Sequence, residues 1–526
     1  MDTKALRQKI LDLAIRGKLV PQDPNDEPAS VLLERIRQQK QQMVKEGKLK
    51  PKDIKNDSVI FLGEDNLHYE KFADGSVKCI EDEIPFELPE GWAWARLNQI
   101  YNFIDYRGAT PNKISSGVPL ITAKNVKSGY IDYTIDEYIS EEEYWDRQQR
   151  GTSRLGDVLF TTEAPLGNAA IADIEKFSAG QRLITFQHYG SCVLNNHTFL
   201  YFILSDFFQD QLHTRKTGST VAGIKASILK TLLLPIPPIA EQDKIGEKCE
   251  NLLALIEEIT NSKQSIISAI PKTKAKILDL AIRGKLVPQD PNDEPASVLL
   301  ERIRAEKEEL IKQGKIKRDK KESVIFRGED NSYYEKMPDG KLHCLDDQLP
   351  FELPDGWEWC NLSMIGTTNI GLTYRPTNIE PDGVIVLRSC NIVNDQVDLS
   401  DLVRVKTTIR ENQYVQKNDI LICARNGSRA LVGKCALIPD LGEPASFGAF
   451  MAIYRTEYFE YIVHYLRSSF FRSVFDDSNS TAINQLTQDM LKRAIVPLPP
   501  VFEQRRITET IDAMLFELNQ MEKSLI

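Results

Sequence analysis

The sequence predicts an α+β protein with a pseudo-twofold internal repeat, in which two domains of mixed strand and helix are separated by long antiparallel coiled-coil helices. The first observation is that the segment Lys9 to Arg37 recurs without change at Lys276 to Arg304. The second is a proline-containing segment, Leu234 to Ile245, whose counterpart is Val496 to Ile507. The third is a seven-residue apolar spacing after each of those segments. Each half of the 526 residues therefore opens and closes with shared sequence.

Composition limits the class of protein. Hydrophobic residues make up 41% and charged residues 27% of the chain, which is typical of a soluble globular protein. The sequence contains no apolar run of roughly 18 residues, as a membrane helix requires, and its first residues do not resemble a secretory signal. We therefore expect a cytoplasmic protein. The eight cysteines lack metal-binding spacing and are interpreted as reduced thiols.

Between the shared segments lie two blocks, Ala95 to Leu233 and Cys360 to Ile495, that differ strongly from each other. Short apolar runs bounded by Gly and Asp, such as GDVLFTT and NDILICARNG, predict strands joined by loops. Each block then passes through an apolar helical stretch and ends near a small polar turn. We interpret the blocks as two copies of one α+β domain with different surfaces.

The helix after each proline segment has apolar residues at seven-residue intervals. They form two parallel rows, and within each row the residues are seven positions apart. The first row holds Ile245, Leu252 and Ile259 in the central helix and Ile507, Met514 and Met521 in the C-terminal helix, and the second row holds Ile256 and, in the C-terminal helix, Ile511 and Leu518. Such spacing over about three heptads predicts a coiled coil, and antiparallel pairing of the two helices is the simplest arrangement. An amphipathic helix that packs on its own domain is the alternative. The central helix is expected to run through Pro271 into the second copy of the repeated segment.

Several motifs recur in both halves. They are the closures LPIPPIAEQDKI and VPLPPVFEQRRI, the GST and NST turns before them, the segments GDVLFTTEAPLGNAAI and NDILICARNGSRALVGKCALI, and the repeated ILDLAIRGKLVPQDP. In this combination, over essentially the whole chain, the sequence resembles the specificity subunit of type I restriction-modification systems. The charged segments 38–58 and 305–323 exceed what that family plan needs, and no role is assigned to them.

The resemblance implies two target recognition domains that each read one half of a bipartite, asymmetric DNA site. It also implies two methyltransferase subunits docked on the conserved regions, with restriction subunits of translocase and nuclease activity beyond them. S-adenosylmethionine, ATP and Mg would be bound by those partners, and no cofactor by this chain. The implied segments are an N-terminal conserved region, 1–90; recognition domain 1, 91–238; a central helix, 239–290; a second conserved region, 291–355; recognition domain 2, 356–500; and a C-terminal helix, 501–526.

The sequence contains no catalytic motif of its own. The adenine methyltransferase expected beside such a subunit needs Asn or Asp before two prolines and an aromatic residue after them. Neither Pro237-Pro238 nor Pro499-Pro500 has those neighbours. The phosphate-binding pattern GxxxxGK[ST] is also absent. We therefore predict a non-catalytic protein. A coiled-coil scaffold that binds proteins without DNA specificity is the alternative function.

Candidate DNA-binding residues come from the chemistry of base recognition, in which Arg pairs with guanine and Asn or Gln with adenine. The candidates are Tyr106, Arg107, Lys124, Asn125, Lys127, Lys216, Ser219, Thr220, Arg375, Arg388, Asn391, Arg425, Asn426, Arg429, Ser480 and Thr481. Lys216 and the hydroxyl groups of the small turns are expected to position phosphates. For each residue, a solvated surface position is the alternative. Because the net charge is −10, binding must rely on local positive loops or on partners.

Overall fold

Two units of mixed helix and strand make up the chain, one for each half of the sequence repeat. A computed structural model describes residues 2–55, 57–106, 110–192, 194–216, 222–318, 323–476 and 485–525. The contacts divide the chain into Met1–Ser262 and Lys263–Ile526, called the first and second units below. The predicted mixture of helices and strands is therefore observed in each half.

The first unit alternates short strands with helices. Its described helices are α1 (Thr3–Ile15), α2 (Ala29–Lys45), α3 (Pro51–Ile54), α4 (Leu97–Ile100), α5 (Glu141–Arg147), α6 (Asn196–Leu204), α7 (Asp206–Arg215), α8 (Ala226–Leu229) and α9 (Ile239–Ile282). Its described strands are β1 (Ser58–Leu62), β2 (His68–Phe72), β3 (Val77–Cys79), β4 (Ala93–Arg96), β5 (Tyr101–Asp105), β6 (Val118–Ile121), β7 (Tyr138–Ile139), β8 (Val158–Thr162), β9 (Leu166–Ile171), β10 (Ser178–Ala179), β11 (Leu183–His188) and β12 (Leu233–Ile236). The division between the units falls within α9.

The second unit follows the same order. Its described helices after α9 are α10 (Ala296–Lys312), α11 (Leu362–Ile365), α12 (Phe459–Arg467), α13 (Ser469–Asp476), α14 (Gln488–Arg493) and α15 (Val501–Leu525). Its described strands are β13 (Val324–Arg327), β14 (Tyr333–Lys336), β15 (Leu342–Cys344), β16 (Glu358–Asn361), β17 (Thr367–Ile370), β18 (Ile379–Leu387), β19 (Ile392–Val393), β20 (Gln396–Val397), β21 (Val403–Val405), β22 (Ile420–Cys423), β23 (Cys435–Leu437), β24 (Ala445–Phe447), β25 (Met451–Arg455) and β26 (Ile495–Leu498). Within the described ranges, no helix is long and apolar enough to cross a membrane.

The central sheets of the two units share a strand plan. The first has the order β5-β11-β8-β9, and the second has β17-β25-β22-β23-β20-β19. A smaller sheet accompanies each of them, β10-β6-β7 in the first unit and β21-β18-β24 in the second. Strands β8 and β22 are buried along their whole length, which explains their almost continuous apolar sequences.

The sequences that begin and end each variable block pair with each other. Strand β4 runs antiparallel to β12, with Trp94 opposite Pro235, and β16 runs antiparallel to β26, with Trp359 opposite Pro497. The shared GW sequence directly precedes β4 and β16, and the shared PxPP sequence begins within β12 and β26. The shared residues therefore form the base of each recognition domain, and the variable residues lie between the two paired strands.

The repeated segment buries the same helical face in both units. Its buried residues are Ile10, Leu11, Ala14 and Ile15 on α1, and Ile277, Leu278, Ala281 and Ile282 at the end of α9. A spacing of four residues places these side chains one above another on a helix. Each helix is followed by a glycine with positive φ, Gly17 at 64° and Gly284 at 65°, where a side chain would be strained.

A buried glutamate joins the repeated segment to the recognition domain in each unit. Glu241, which is 1% exposed, accepts hydrogen bonds from Nε1 of Trp92 at 2.8 Å and Nε2 of Gln22 at 3.1 Å. The corresponding contacts in the second unit are Glu503 with Trp357 at 3.0 Å and with Gln289 at 3.1 Å. Burial raises the pKa of both carboxyl groups. Each carboxyl group connects three chain segments, which explains why its neighbours are shared between the halves.

The seven-residue rows on α9 and α15 contain both buried and exposed positions. Ile245, Ile256, Ile507 and Ile511 are buried, and Leu252 and Leu518 are partly buried, each in the core of its own unit. Farther along the helices, Ile259, Met514 and Met521 are 40%, 43% and 53% exposed. The first turns of α9 and α15 therefore pack on their own domains, which agrees with the alternative of an amphipathic helix that packs on its own domain. Pairing of the two rows with each other stays a prediction. Helix α9 does run through Pro271 into the repeated segment, as expected.

The charged segments 38–58 and 305–323 help attach α2 and α10 to the recognition domains. Lys40 on α2 is 2% exposed, and its Nζ donates to the carbonyl of Asn98 at 3.2 Å. Burial lowers the pKa of this amine. Lys307 on α10 donates at 3.3 Å to the carbonyl of Ser363, which occupies the position of Asn98 in the second unit. Part of the charge in these segments therefore serves the fold.

Candidate nucleic-acid interface

Several of the predicted cationic side chains lie at the surface on loops next to strands. The exposed ones are Lys124 and Lys216 in the first unit and Arg375, Arg425 and Arg429 in the second. Lys124 follows β6, and Arg425 and Arg429 follow β22. Their exposure puts these guanidinium and ammonium groups where a polyanion can reach them, which is what contact with a phosphate or a base edge requires.

Two further predicted cations are held by neighbouring groups. The Nζ atom of Lys127 donates to the carbonyl of Lys124 at 2.7 Å and lies 3.7 Å from the carboxylate of Asp132. The Nη2 atom of Arg388 donates to the carboxylate of Asp401 at 2.9 Å. DNA would have to replace these contacts, as it would the 3.9 Å contact between Nζ of Lys124 and the carboxylate of Glu137.

Asn125 and Asn391 are structural residues, and the prediction that they read adenine is wrong. Both are 1% exposed. Asn125 accepts from the backbone N–H of Thr122 at 3.0 Å and donates to the carbonyls of Asp132 at 3.0 Å and Ile135 at 2.9 Å. In the same way, Asn391 accepts from the backbone N–H of Arg388 at 2.9 Å and donates to the carbonyls of Asp398 at 2.9 Å and Asp401 at 2.8 Å. Both N–H groups of each amide are already used within the fold, so neither side chain is available to pair with a base.

Tyr106 is also part of the core rather than the surface. It is 1% exposed, and its hydroxyl group donates to the carbonyl of Gly151. The guanidinium group of Arg147 lies 5.0 Å from the centre of its ring. The predicted contact between Tyr106 and DNA is therefore wrong, because the ring and the hydroxyl group are both enclosed.

Some predicted residues lie outside the described part of the chain. They are Arg107, Ser219, Thr220, Ser480 and Thr481. Their roles as DNA contacts, including the phosphate-binding role of the two small turns, stay predictions.

In the first unit, the loop after β6 and the turn before β11 meet beside the end of β8. The N–H of Gly180 donates to the carbonyl of Ile121 at 2.7 Å, and the N–H of Thr162 donates to the carbonyl of Arg182 at 3.0 Å. These bonds bring three chain segments to one edge of the sheet. We call residues 121–127, 162–163 and 180–182 the recognition edge of the first unit.

The second unit brings the equivalent segments together. The N–H of Gly448 donates to the carbonyl of Leu387 at 2.9 Å, and the N–H of Arg425 donates to the carbonyl of Phe450 at 3.0 Å. The amide of Asn426 lies 3.4 Å from the hydroxyl group of Ser389, which links two of the predicted loops. Residues 387–391, 424–429 and 448–450 form the recognition edge of the second unit.

Two facing positions on the recognition edge carry different side chains in the two units. In the first unit, Glu163 and Arg182 form an ion pair at 3.1 Å. In the second, the guanidinium carbon of Arg425 lies 5.5 Å from the ring centre of Phe450. The sequence indicated Arg425 but not the other three residues. Glu163 corresponds to Arg425 with a difference in residue number of 425 − 163 = 262, and Arg182 corresponds to Phe450 with a difference of 450 − 182 = 268. An alignment of the two halves would therefore have matched both pairs only if it allowed a gap of six residues between them.

A buried aspartate next to the central sheet also differs in its partner. In the first unit, Oδ2 of Asp157 accepts from Nε2 of Gln187 at 2.8 Å, and burial raises the pKa of this carboxyl to about 6. In the second unit, Asp419 is held by Nε of Arg455 at 2.6 Å and by its Nη2 at 2.7 Å. The two environments differ by one positive charge, because Gln187 stands where the other copy has an arginine.

We expect Gln187→Arg to stabilise the first unit at neutral pH. In the natural chain, the pKa of Asp157 is raised from 3.8 to about 6, so stability falls as the pH rises through that interval. A guanidinium group beside the carboxylate should lower this pKa and remove the loss, which is on the order of 3 kcal/mol. Thermal unfolding at pH 4 and pH 7.5 would measure the difference.

The reciprocal substitution Arg455→Gln is the matched control, since it gives Asp419 the partner of the first unit. It should reduce the stability of the second unit more at pH 7.5 than at pH 4. A stability difference between Gln187→Arg and the natural chain that stays constant over this pH range would contradict the assignment.

The recognition edges provide hydrogen-bond donors, an acidic group and an aromatic ring. In the part of the chain that the structure describes, no group of three or more His, Cys, Asp or Glu residues is placed to hold a metal ion. The side chains at the edges offer hydrogen bonds from Arg and Lys, acceptance by Glu163, and stacking on Phe450.

Comparison with known proteins identifies the family. The model of the type I restriction modification DNA specificity domain matches residues 89–268 and 354–526. The chain therefore belongs to this family and contains two copies of its domain. The resemblance seen in the sequence, to a specificity subunit that is not itself an enzyme, is confirmed.

Individual relatives resemble the chain over nearly its whole length. It is 29% identical to the specificity subunit of the type I restriction enzyme EcoAI of Escherichia coli, a match that covers 99% of this chain and 90% of the relative. It is 28% identical to the EcoEI specificity subunit of the same species, with the same coverage of both chains.

Solved structures show the same fold at low sequence identity. The HsdS subunit from Thermoanaerobacter tengcongensis has a TM-score of 0.51 and 17% identity, covering 84% of this chain and 93% of that chain. A chain from a structural study of complex assembly in a type I restriction-modification system gives the same TM-score, with 18% identity, 84% of this chain and 94% of that chain.

Proposed function

We propose that this chain selects the DNA site of a type I restriction-modification complex. Residues 91–238 would read one half of a bipartite, asymmetric sequence and residues 356–500 the other half. The observation that carries the proposal is that one recognition edge occurs twice, on the same backbone plan, with different exposed side chains. Two such edges suit a site whose two halves have different sequences.

The shared frame supports two copies of a single partner. The same helical face and the same Glu-Trp-Gln contacts occur once in each unit. These buried contacts hold the repeated segment in the same way in each unit, so its outward-facing residues are presented twice. Two methyltransferase subunits would dock on those outward-facing residues, and restriction subunits with nuclease and translocase activity would join them. S-adenosylmethionine, ATP and Mg would belong to those partners, with none of them bound by this chain. Antiparallel pairing of the seven-residue rows, which would hold the recognition domains apart, is part of the proposal.

Mapping of methylated bases tests this function. The chain would be co-expressed with its methyltransferase subunit in a host that lacks DNA methylation of its own, and the host genome would then be sequenced for modified bases. We expect one split motif with two defined halves and an unspecified spacer of fixed length. Expression of the methyltransferase subunit alone is the control, and it should give no such motif.

Two outcomes would contradict the proposal. If methylation showed the same sequence preference with and without the chain, the chain would be a scaffold that adds no DNA specificity. If the motif were a single uninterrupted sequence, the assignment of one half-site to each recognition domain would fail.

A further inference from the structure

The facing positions on the recognition edge sit on a backbone that is fixed in the same way in both units. In the first unit, Ile224 donates from its N–H to the carbonyl of Thr162 at 3.0 Å, and Glu163 forms a bridge with Gly223. In the second unit, the equivalent contacts are Leu486 to Ala424 at 2.7 Å and Arg425 with Gln485. The main chain therefore presents two side chains at one place in each domain, whatever those side chains are.

Three of the four residues at these positions are exposed, and Glu163 is partly exposed. Glu163 and Arg182 have side chains that are 43% and 49% exposed, and Phe450 is 61% exposed. Arg425 is exposed beside Phe450. Neither pair is required to fill the core, so their identities are free to follow what the domain binds. The same backbone with exchanged surface chemistry is what two domains with different targets need.

We propose that these facing positions determine one base pair in each half of the DNA site, an inference that rests on the proposed function. In the second recognition domain, Arg425 would donate two hydrogen bonds to a guanine, because its planar guanidinium group matches the O6 and N7 acceptors of that base. The ring of Phe450 holds the guanidinium group in place by a cation–π contact and keeps it from folding back onto the protein.

The first recognition domain has the opposite charge at the position of Arg425. The carboxylate of Glu163 would accept a hydrogen bond from the amino group of a cytosine, a contact that arginine cannot make. Arg182 binds the same carboxylate at 3.1 Å and therefore fixes its orientation. In this reading Glu163 touches the base, and Arg182 is a positioning residue.

Methylation mapping with substituted chains tests the inference. Arg425→Gln in the complex with the methyltransferase subunit should reduce the preference for guanine at one position of one half-site by roughly 10- to 100-fold, the range expected for one lost two-bond contact. The other half-site should remain unchanged. Glu163→Gln should relax a single position in the opposite half-site. Lys417→Gln, which removes one positive charge at an exposed position outside the recognition edge of the same unit, is the matched control and should leave the base preference at that position unchanged.

Phe450→Leu separates positioning from contact. This substitution keeps an apolar side chain and the backbone bonds of Phe450 but removes the ring beneath Arg425. The preferred sequence should stay the same, while the methylation rate at the natural site falls several-fold. Thermal unfolding of each variant chain, with melting equal to that of the natural chain, would show that the domain is still folded.

The failure of this inference can be distinguished from failure of the proposed function. If the natural chain gives a split motif and folded Arg425→Gln leaves both the motif and the methylation rate unchanged, only the assignment of these positions is overturned. A uniform loss of methylation without any change in base preference would also overturn it, since that result indicates phosphate contact. If the natural chain gives no split motif, the proposed function itself fails.

Discussion

Replacing residues 360–495 with the corresponding block of a relative is expected to change one half of the methylated DNA sequence and leave the other half unchanged. The block contains the whole recognition edge of the second unit. Its boundaries fall within β16 and β26, whose pairing depends on backbone hydrogen bonds, and it leaves Trp359 and Pro497 in place. The buried contacts of Glu503 with Trp357 and Gln289 also lie outside the block. The frame should therefore accept the foreign block.

The reciprocal exchange of residues 95–233 is the control for this prediction. It should change the other half of the methylated sequence and preserve the first. The block of the EcoAI specificity subunit is a suitable donor, because that protein matches nearly the whole chain. Methylation mapping of both hybrids would measure the result. A change in both halves after either exchange would show that the two domains do not read DNA independently.

The architecture could be predicted because the repeat is visible in the sequence. The identical segment around Leu11 and Leu278 marks the two halves, and the Gly- and Asp-bounded apolar runs mark the strands of each variable block. What the pattern did not determine was the partner of each helix. A seven-residue spacing requires an apolar surface beside the helix, but it does not say whether that surface belongs to another helix or to the same domain. Ile245 packs in the core of the first unit, and Ile507 packs in the core of the second unit.

The candidate site was predicted less completely, because the direction of a polar side chain on a loop depends on tertiary structure. Asn125 and Asn391 have the residue type that reads adenine, yet both amides bond to nearby backbone groups. A signal for this role was present in the sequence: an asparagine in the matching loop of both variable blocks. A residue shared by two blocks whose sequences differ strongly is expected to belong to the frame. Glu163 and Arg425, which differ at one position, show the opposite pattern.

Asn391→Ala is expected to destabilise the second unit strongly. Removal of the amide would take a partner from the carbonyl of Asp398 and from the N–H of Arg388, and would leave the carbonyl of Asp401 with the 3.4 Å contact to Nη2 of Arg388. An unsatisfied buried group costs about 1–3 kcal/mol, so a total near 3 kcal/mol is a reasonable expectation for this cluster. For a unit of this size, a loss of that magnitude corresponds to roughly 6–12 °C in melting temperature.

Asn391→Asp tests the same contact without creating a cavity. The carboxylate could still accept from Arg388, but its second oxygen would face the two carbonyls that now receive N–H groups, so it should be at least as destabilising as Ala. Asn412→Ala is the matched control, because Asn412 is exposed and its amide donates to the partly exposed side chain of Asn369 at 3.0 Å. That change should cost less than about 0.5 kcal/mol. If Asn391→Ala melted at the same temperature as the natural chain but changed the methylation motif, Asn391 would contact DNA after all. If it melted at a lower temperature and left the motif unchanged, Asn391 would be a structural residue that shapes the recognition edge.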